Sequence, residues 1–336
     1  GDLMQNVGGK LVKHYKDLAF MGFAEVVKNL PTILKNISFC KKDLLQFKPD
    51  AVIFIDYPGF NLRIAEFAKK NNLQTHYYIS PQLWAWKENR IDKVKQFVDY
   101  MYVILPFEKE FYEEKHNYPV HFVGHPLIDA IANRKQVSGK VFKKEHNLSE
   151  KPIIALLPGS RKQEIKKMLS VMLKMADKFK DYQFVIAGAP SQPFQFYKQF
   201  ITKNNVKFIS NKTYDLLSIS YAAIVTSGTA TLETALFKVP QVVCYKTSFI
   251  SYEIGKRVVN LDYISLVNLI MDKKVVTELI QNDFNEEKLA EELTKITSSP
   301  YREQLFLEYY ELEKKLGGKG ASKKVAELVI KKAETR

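Results

Sequence analysis

Short segments rich in β-branched and aromatic residues alternate along the chain with longer segments of helical periodicity. From Lys162 to Phe179, for example, apolar residues recur every three or four positions, which gives a helix one apolar face. Seven segments have the length and composition of buried strands: AVIFI from Ala51, THYYI from Thr75, YMYVI from Tyr100, IIALL from Ile153, QFVIA from Gln183, AAIV from Ala222 and QVVCY from Gln241. This alternation predicts an α/β fold in which helices cover both faces of parallel sheets.

The length of the chain indicates more than one domain, because 336 residues exceed what one hydrophobic core usually supports. A polar, lysine-rich stretch divides the strand candidates, so we expect one α/β domain over residues 1–150 and a second over residues 151–300. Residues 301–336 have a helical pattern, and we expect them to pack back on the first domain or to exchange with a partner subunit in a homodimer. Residues 317–320 predict a helix C-cap there, with Ser322 as the next N-cap.

The loop after the strand candidate at Ile153 reads LLPGSRKQE and combines a tight turn with charge. In parallel α/β sheets, ligands bind where strands end and helices begin. Backbone N–H groups at the helix start attract an anion, the turn Gly159-Ser160 brings the backbone close to it, and Arg161 adds a planar fork for a phosphate. Glu164 is placed to hold Arg161 or to complement the helix dipole. The alternative is an ordinary capped helix start.

A second junction of this kind, TSGTATLE, follows the strand candidate at Ala222. Gly228 permits close approach of the backbone to a ligand. The hydroxyls of Ser227, Thr229 and Thr231 are predicted to donate hydrogen bonds to phosphate oxygens. Glu233, about one turn into the helix, is placed to accept hydrogen bonds from ribose hydroxyls. Serine and threonine are also common N-caps, which is the alternative here. Two such junctions in one half of the chain together favour an anion site.

In the first half, Asp56 follows the AVIFI strand, at the position expected of a catalytic carboxylate. Asp50, six residues earlier, falls near the opposite edge of the sheet and is predicted to be a turn or cap residue. For Asp56 the alternative is a cap of a helix that starts near Asn61. Trp84 and Trp86, after the next strand, are expected to line an acceptor groove, to meet lipid or to pack between domains.

The net charge of +14 is compatible with a nucleic acid, an anionic membrane surface or a phosphorylated substrate as partner. Only 7 of the 51 basic residues are arginine, the residue best suited to base recognition, which argues against nucleic acid. No apolar run is long enough to span a bilayer and the start does not resemble a signal peptide, so we expect a cytoplasmic protein.

Candidate metal ligands and disulfides are scarce. Cys40 and Cys244 lie far apart beside apolar residues and are predicted to be reduced thiols. His121 and His125 lie in a segment that predicts strand and turn rather than the helical spacing of a metal pair. No two aspartates are separated by a single residue, as in a chelating motif for a metal-bound nucleotide sugar, so we expect neither a metal nor a cofactor.

Taken together, segments along nearly the whole chain resemble the lipid-A-disaccharide synthase family: GDLMQ, LAFMGFAEV, DYPGFN, YYISPQLWAWKENRI, FVGHPL, LLPGSRKQEI, SGTATLE and DYISLVNLIM. The resemblance implies the GT-B architecture, in which two Rossmann-like domains face a cleft and the second holds most of the nucleotide sugar. It also implies the reaction: UDP-2,3-diacylglucosamine is joined to 2,3-diacylglucosamine 1-phosphate, and UDP is released with inversion at the anomeric carbon. Another UDP-sugar transferase or epimerase, or an inactive UDP-binding protein, is the alternative.

The resemblance also implies roles for individual residues. Arg161 and its turn would face the donor diphosphate, residues 227–231 would cradle UDP, and Glu233 would meet the ribose. Asn268, in the SLVNLIM segment, would be a further donor-side residue. Asp56 is the candidate general base that takes the proton of the acceptor hydroxyl.

Two departures from the family and the acylated substrates bear on these expectations. Many relatives have a second aspartate at the position of Gly59, which leaves the identity of the base open. The sequence starts inside a family motif at Gly1, so we expect the family's first strand and a cleft-facing loop to lie outside it.

Acylated substrates imply that the enzyme works at the cytoplasmic face of the inner membrane, where lysines favour binding to anionic lipid. Residues 18–36 are the candidate membrane contact, with a core helix broken at Pro31 as the alternative.

Overall fold

Two parallel sheets form the framework of the protein, as a computed structural model shows for residues 1–14, 29–201, 205–248 and 261–335 and for positions 252, 253, 255 and 257. Their strands are β1 Ala51–Ile55, β2 Gln74–Tyr78, β3 Tyr100–Val103, β4 His121–Phe122, β5 Ile153–Leu157, β6 Gln183–Gly188, β7 Val206–Ser210, β8 Ser220–Thr226, β9 Gln241–Tyr245 and β10 Glu278–Ile280. All seven strand candidates are strands in the structure. The predicted α/β class with parallel sheets is therefore confirmed.

Helices lie between the strands and follow the last one. The α-helices of the described residues are α1 Asp2–Asn6, α2 Leu30–Phe47, α3 Pro58–Lys70, α4 Ile91–Phe97, α5 Pro106–Glu110, α6 Pro126–Ala132, α7 Gly139–Glu145, α8 Lys162–Met172, α9 Met175–Lys178, α10 Phe194–Lys198, α11 Thr213–Leu217, α12 Thr229–Leu236, α13 Leu266–Met271, α14 Glu286–Thr297, α15 Ser299–Lys315 and α16 Ala321–Glu334. Within those residues, no helix combines the length and the apolar character needed to cross a membrane.

The order in which the chain adds strands to the second sheet reverses at β5. Its strand order is β10-β9-β8-β5-β6-β7, whereas the first sheet runs β1-β2-β3-β4. The chain therefore leaves β5 toward one edge through β6 and β7, and returns to place β8 on the other side of β5. Such a reversal opens a crevice at the carboxyl ends of the two central strands, where α/β proteins bind ligands.

Burial in the second sheet follows from helices on both of its faces. All five residues of β5 and all six of β6 are buried, which is typical of parallel strands. The apolar face predicted from Lys162 onward is present, although it is divided between α8 and α9, and residues such as Ile165 and Met168 are fully buried on it. Cys244 is a buried free thiol in β9, and Cys40 is a partly buried one.

The predicted division into domains stays a prediction, and the packing of α7 bears on where its boundary would lie. Phe142 of α7 packs in the same apolar cluster as Ile153 of β5. In a division by packing, the boundary would therefore precede Gly139 rather than fall near residue 150. Helix α15 lies on the second sheet, where the guanidinium carbon of Arg302 is 3.6 Å from the centre of the Tyr221 ring.

The last helix, α16, returns to the first sheet. The Lys324 ammonium donates to the Phe122 carbonyl at 3.0 Å, and the Gln74 amide donates to the Lys332 carbonyl at 3.1 Å. The chain makes this return through a close backbone crossing, because a Cβ on Gly317 would lie 3.1 Å from the Cα of Gly124. A side chain at position 317 would force the two segments apart.

The start of α16 differs from the prediction. Its N-cap is Gly320, not Ser322. The carboxylate of Asp129, on α6, accepts hydrogen bonds from the backbone N–H groups of Gly320 at 2.6 Å and Ser322 at 3.2 Å. A residue distant in sequence therefore caps this helix and fastens it to the first sheet.

His76 lies beneath this helix as a fully buried, neutral imidazole. One ring nitrogen contacts the Tyr102 hydroxyl at 2.9 Å and the other contacts the amide oxygen of Gln74 at 2.9 Å. Gln74 Oε1 only accepts, so the His76 nitrogen facing it carries the proton and the other accepts from Tyr102. Burial lowers the pKa of His76 to about 4, and it also lowers the pKa of His125 to about 4.

We expect the free energy of unfolding to fall as the pH decreases from about 6.5 to about 4. In that window the unfolded state binds protons at both imidazoles while the folded state does not, so protonation favours unfolding. Urea unfolding at several pH values measures the slope, and His76→Asn should reduce the number of protons taken up on unfolding by about one. An unchanged slope in that variant would show that His76 does not titrate in this window.

Candidate functional site

Two turns lie side by side at the crevice of the second sheet. Strands β5 and β8 are paired in register, with Leu157 opposite Val225, so the loops that follow them leave the same edge of the sheet. A Cβ built on Gly159, in the first turn, would lie 3.6 Å from the Thr226 methyl group at the start of the second. The structure thus brings together the two anion-binding candidates of the second half of the sequence.

The first turn depends on glycine. Gly159 has φ +96°, and a Cβ there would lie 2.9 Å from Oε2 of Glu164. Any side chain at this position would meet both backbone strain and the carboxylate. Ser160 is exposed, and its carbonyl accepts a hydrogen bond from the Ser191 hydroxyl at 2.9 Å. The loop after β6 therefore supports the turn from the side.

Arg161 is the N-cap residue of α8 and stands at the exposed end of this turn. Its guanidinium donates to Oε1 of Glu164 at 3.0 Å, and its backbone N–H donates to Oε2 of the same carboxylate at 3.4 Å. Glu164 therefore holds Arg161 and caps the helix at the same time, so the two interpretations of this segment coexist. The Arg161 side chain remains 64% exposed, which leaves it within reach of a ligand in the crevice.

In the second turn, the predicted hydroxyl donors have different environments. Gly228 is exposed with φ +152°, and Thr229 is exposed beside it. The Ser227 hydroxyl donates to the Ile264 carbonyl at 2.8 Å, so its proton is already engaged. Thr231 is fully buried and donates to the Gly228 carbonyl at 2.8 Å. Thr231 does not meet the expectation of a ligand contact, because its hydroxyl closes the turn.

Glu233 lies one turn into α12 and is partly buried. Its Oε1 accepts a hydrogen bond from the Tyr214 hydroxyl at 2.7 Å. Burial raises the pKa of Glu233, which the Tyr214 hydrogen bond partly opposes. The carboxylate keeps acceptor capacity, because an ionised carboxylate offers about four lone-pair sites.

Asn268 is not at the surface of the crevice, contrary to the donor-side role that the resemblance implies. It is fully buried, and its amide oxygen accepts from the N–H groups of Val275 at 2.8 Å and Val276 at 2.9 Å. Its amide nitrogen donates to the Val276 carbonyl and to Glu278 Oε1, both at 2.9 Å. All four hydrogen-bonding positions of the amide are therefore used within the protein.

Through Glu278, Asn268 supports the segment that touches the second turn. The Glu278 carboxylate accepts the backbone N–H groups of Ile264 and Ser265, each at 2.9 Å. The Ile264 carbonyl in turn accepts a hydrogen bond from the Ser227 hydroxyl. Asn268 thus acts on the crevice indirectly, by holding Glu278 beneath the residue that Ser227 contacts.

We expect Asn268→Asp to lower the free energy of unfolding by about 3–5 kcal/mol, because the new carboxylate would face Glu278 and a carbonyl with no proton to give. Urea unfolding of the purified variant measures this. Asn268→Ser, which keeps a small donor, should cost less. A variant with normal stability but lost UDP binding would contradict the structural role and restore the direct contact.

Asp56 lies on the other sheet, at the carboxyl end of β1. It is exposed, and both Asp56 and Tyr57 have left-handed backbone conformations, with φ +47° and +45°. Two consecutive non-glycine residues in this region are strained, and such strain tends to persist at functional sites. The backbone carbonyl of Asp56 accepts hydrogen bonds from the Tyr77 hydroxyl and from the Asn61 amide, both at 2.6 Å.

Asp56 is not the N-cap of the helix that follows it, which was the alternative role. Helix α3 begins at Pro58 rather than near Asn61, and its N-cap residue is Tyr57. Among the described residues, none forms a hydrogen bond or ion pair with the Asp56 carboxylate. The carboxylate is therefore accessible to a ligand at the edge of the first sheet.

Sequence reasoning missed three residues at the crevice. Ser191 supports the first turn, Tyr214 holds Glu233, and the Thr226 hydroxyl is buried without a hydrogen-bond partner in the described part of the chain. Thr226 directly precedes the SGTAT segment, so its position at the strand end was the available signal. Within the described ranges, no group of three or more His, Cys, Asp and Glu side chains is arranged to hold a metal ion.

Comparisons with known proteins point to the same protein family over most of the chain. A family model described as lipid-A-disaccharide synthetase matches residues 1–329. The chain is 39% identical to a lipid-A-disaccharide synthase of Syntrophus aciditrophicus (strain SB), over 97% of this chain and 87% of that protein. It is 36% identical to a lipid-A-disaccharide synthase of Coxiella burnetii (strain Dugway 5J108-111), over 98% of this chain and 88% of that protein.

Among solved structures, the chain is similar to a UDP-GlcNAc 2-epimerase from Neisseria meningitidis bound to UDP-GlcNAc. The TM-score is 0.65 with 17% sequence identity, over 93% of this chain and 83% of that one. At this identity the likeness concerns the fold. The prediction of two parallel-sheet α/β domains of the GT-B type is therefore confirmed.

Proposed function

Because the chain belongs to the lipid-A-disaccharide synthase family, we propose that it transfers the sugar of UDP-2,3-diacylglucosamine to 2,3-diacylglucosamine 1-phosphate. The products are lipid A disaccharide 1-phosphate and UDP. The observation that carries this proposal is the family match over residues 1–329, with 36–39% identity to the two synthases named above. The crevice between β5 and β8 supports it, because two adjoining helix starts suit a diphosphate.

In the reaction we propose, an acceptor hydroxyl attacks the anomeric carbon of the donor from the face opposite the diphosphate. The new carbon–oxygen bond forms as the bond to the diphosphate breaks, UDP leaves with the electron pair, and the configuration inverts. Asp56 takes the proton of the acceptor hydroxyl as general base. Arg161 and the N-termini of α8 and α12 stabilise the charge that grows on the departing UDP.

On the donor side, the proposed contacts follow from the two turns. The backbone at Gly159 and Gly228 approaches the phosphates, with Ser160, Ser227 and Thr229 beside it. Glu164 orients Arg161 through their 3.0 Å ion pair. Glu233 accepts a hydrogen bond from a ribose hydroxyl while the Tyr214 hydroxyl donates to its Oε1.

We place this activity at the cytoplasmic face of the inner membrane, with the protein peripherally attached. Both substrates carry acyl chains, and helix α2 exposes large apolar side chains, among them Leu30 at 45%, Leu34 at 51% and Phe47 at 74%. Residues 18–28 of the candidate membrane contact lie outside the described residues. The charge of +14 adds attraction to anionic lipid.

The proposal is tested by incubating the purified chain with both substrates in detergent and excess EDTA, and by following disaccharide 1-phosphate and UDP by mass spectrometry. We expect both products in equal amounts, since helix ends and Arg161 take the place of a metal at the diphosphate. UDP binding without product would contradict the proposed activity and favour a binding protein. Epimerised UDP-sugar as the product would favour the epimerase alternative.

A further inference from the structure

Two cations, Lys87 and Arg90, lie at the carboxyl end of the first sheet, and none of the described carboxylates pairs with them. They belong to residues 79–90, which follow β2 and which we call the Trp86 loop. In the described part of the chain, neither side chain forms an ion pair or a hydrogen bond to a carboxylate. The carboxylate between them, Glu88, pairs with Lys115 at 2.7 Å and with His116 at 2.9 Å instead.

The two cations surround an exposed aromatic ring. Trp86 is 44% exposed, with the Lys87 ammonium 4.4 Å and the Arg90 guanidinium carbon 5.9 Å from the ring centre. Arg90 is partly buried, so its charge is partly desolvated without a counter-ion. Such a group favours the arrival of an anion, because pairing recovers the electrostatic cost of desolvation.

The Trp86 loop is held rigidly from beneath. Glu108 is 1% exposed, and its carboxylate accepts hydrogen bonds from the Ser80 hydroxyl at 2.6 Å and the Trp84 indole at 3.2 Å. Within the loop, Ile79 and Lys87 have φ +62° and +56°, conformations that cost energy for residues of these types. The buried Glu108 thus anchors the part of the loop that precedes the two cations.

The loop also adjoins the proposed base. The hydroxyl of Tyr77 donates to the Asp56 carbonyl at 2.6 Å, at the ends of the neighbouring strands β1 and β2. Burial raises the pKa of that hydroxyl, the charge of Asp56 raises it further, and the charge of Arg90 lowers it. Asp56 and the Trp86 loop therefore follow paired strands at the same edge of the first sheet.

We propose that Arg90, assisted by Lys87, binds the phosphate monoester of the acceptor sugar and so places the acceptor hydroxyl at Asp56. This inference rests on the proposed function. The donor diphosphate already has Arg161 and two helix starts on the other sheet, whereas the acceptor brings a phosphate of its own. A guanidinium matches a phosphate with two parallel hydrogen bonds, and Trp86 offers an apolar face to the acylated sugar.

The test compares 2,3-diacylglucosamine 1-phosphate with 2,3-diacylglucosamine as acceptors for the wild type and Arg90→Ala. We expect Arg90→Ala to lower kcat/KM for the phosphorylated acceptor by about 10–100-fold, the loss of one charge-assisted interaction. Turnover of the acceptor without phosphate, and the KM for the donor, should stay unchanged. Arg90→Lys should recover part of the loss, because it restores charge without the planar fork.

Arg63→Ala is the matched control, since Arg63 is an exposed arginine on α3 of the same half of the chain, and it should behave as the wild type. No turnover by the wild type with either acceptor would refute the proposed function itself. Equal losses on both acceptors in Arg90→Ala would refute the phosphate contact and leave a structural role. Binding to phosphatidylglycerol vesicles, measured by sedimentation, covers the other source of phosphate: weaker vesicle binding with unchanged acceptor preference would assign the cations to lipid headgroups.

Discussion

Asp56→Asn is expected to lower kcat by about 10²–10⁴-fold, the range typical of losing a general base. The substitution keeps the shape of the side chain and removes its ability to take a proton. Affinity for UDP should stay the same, because Asp56 lies on the first sheet and the two anion-binding turns lie on the second. Steady-state kinetics with both substrates, together with UDP binding by calorimetry, measures the two quantities separately.

Asp50→Asn is the matched control for this experiment. Asp50 is an exposed aspartate that directly precedes β1, at the opposite end of the strand from Asp56, and its replacement should leave kcat unchanged. Near-normal turnover of Asp56→Asn would exclude Asp56 as the base. In that case Gly59→Asp tests whether a carboxylate at the position of the relatives' second aspartate acts as the base. The substitution is sterically permitted, because a Cβ on Gly59 would have no atom within 4 Å.

Arg161→Ala is expected to weaken UDP binding by about 10–100-fold, as the loss of a charge-assisted hydrogen bond to phosphate implies. Stability should change little, because the Arg161 side chain is 64% exposed in its ion pair with Glu164 and surface pairs contribute about 0–1 kcal/mol. UDP titration and thermal unfolding of the same preparation measure both effects.

Lys162→Ala separates a specific contact from general electrostatics. It removes one positive charge at the next position, where the lysine is exposed and lies 6.0 Å from the Phe196 ring centre. UDP affinity should fall much less than in Arg161→Ala. Equal effects in the two variants would mean that the residues contribute only to the long-range field, and would reduce Arg161 to the cap that Glu164 completes.

The strands that the sequence predicted are mostly those buried on both faces. In β5, β6 and β9, continuous apolar composition follows directly from helices on both sides of the sheet. Of the three strands outside the seven candidates, β4 lies in the segment around His121 that predicts strand and turn, and β7 and β10 escaped prediction. Strand β7 lies at the edge of the sheet and interrupts its apolar residues with Lys207, and β10, also at the edge, has only three residues. An interrupted or short apolar run hid these two strands, because β1 also lies at an edge of its sheet and was recognisable from the unbroken run AVIFI.

At the candidate site, the sequence indicated which loops meet but not how each side chain is used. Gly159 and Gly228 were recognisable, because their conformations need glycine at a strand–helix junction. Thr231 and Asn268 have the polarity of ligand contacts, yet both bond to the protein itself. Their partners are set by the folded backbone around them. Polarity alone does not distinguish a residue that contacts substrate from one that hydrogen-bonds within the protein.

The cap of α16 illustrates the same limit in another form. Ser322 has a suitable side chain, but Asp129 performs the capping from α6, more than 190 positions earlier in the chain. Local patterns describe what a segment can do for itself. Here the helix is capped by the surface on which it packs.

The return of α16 to the first sheet has a consequence for synthesis of the protein. The first sheet is translated early, yet part of its covering surface is residues 321–334, which are translated after the second sheet. The aromatic face around His76, Tyr100 and Tyr102 therefore stays uncovered while the second sheet is made, although domains usually fold in the order of synthesis. The half of the molecule that is made first is therefore completed only after the second sheet has been made.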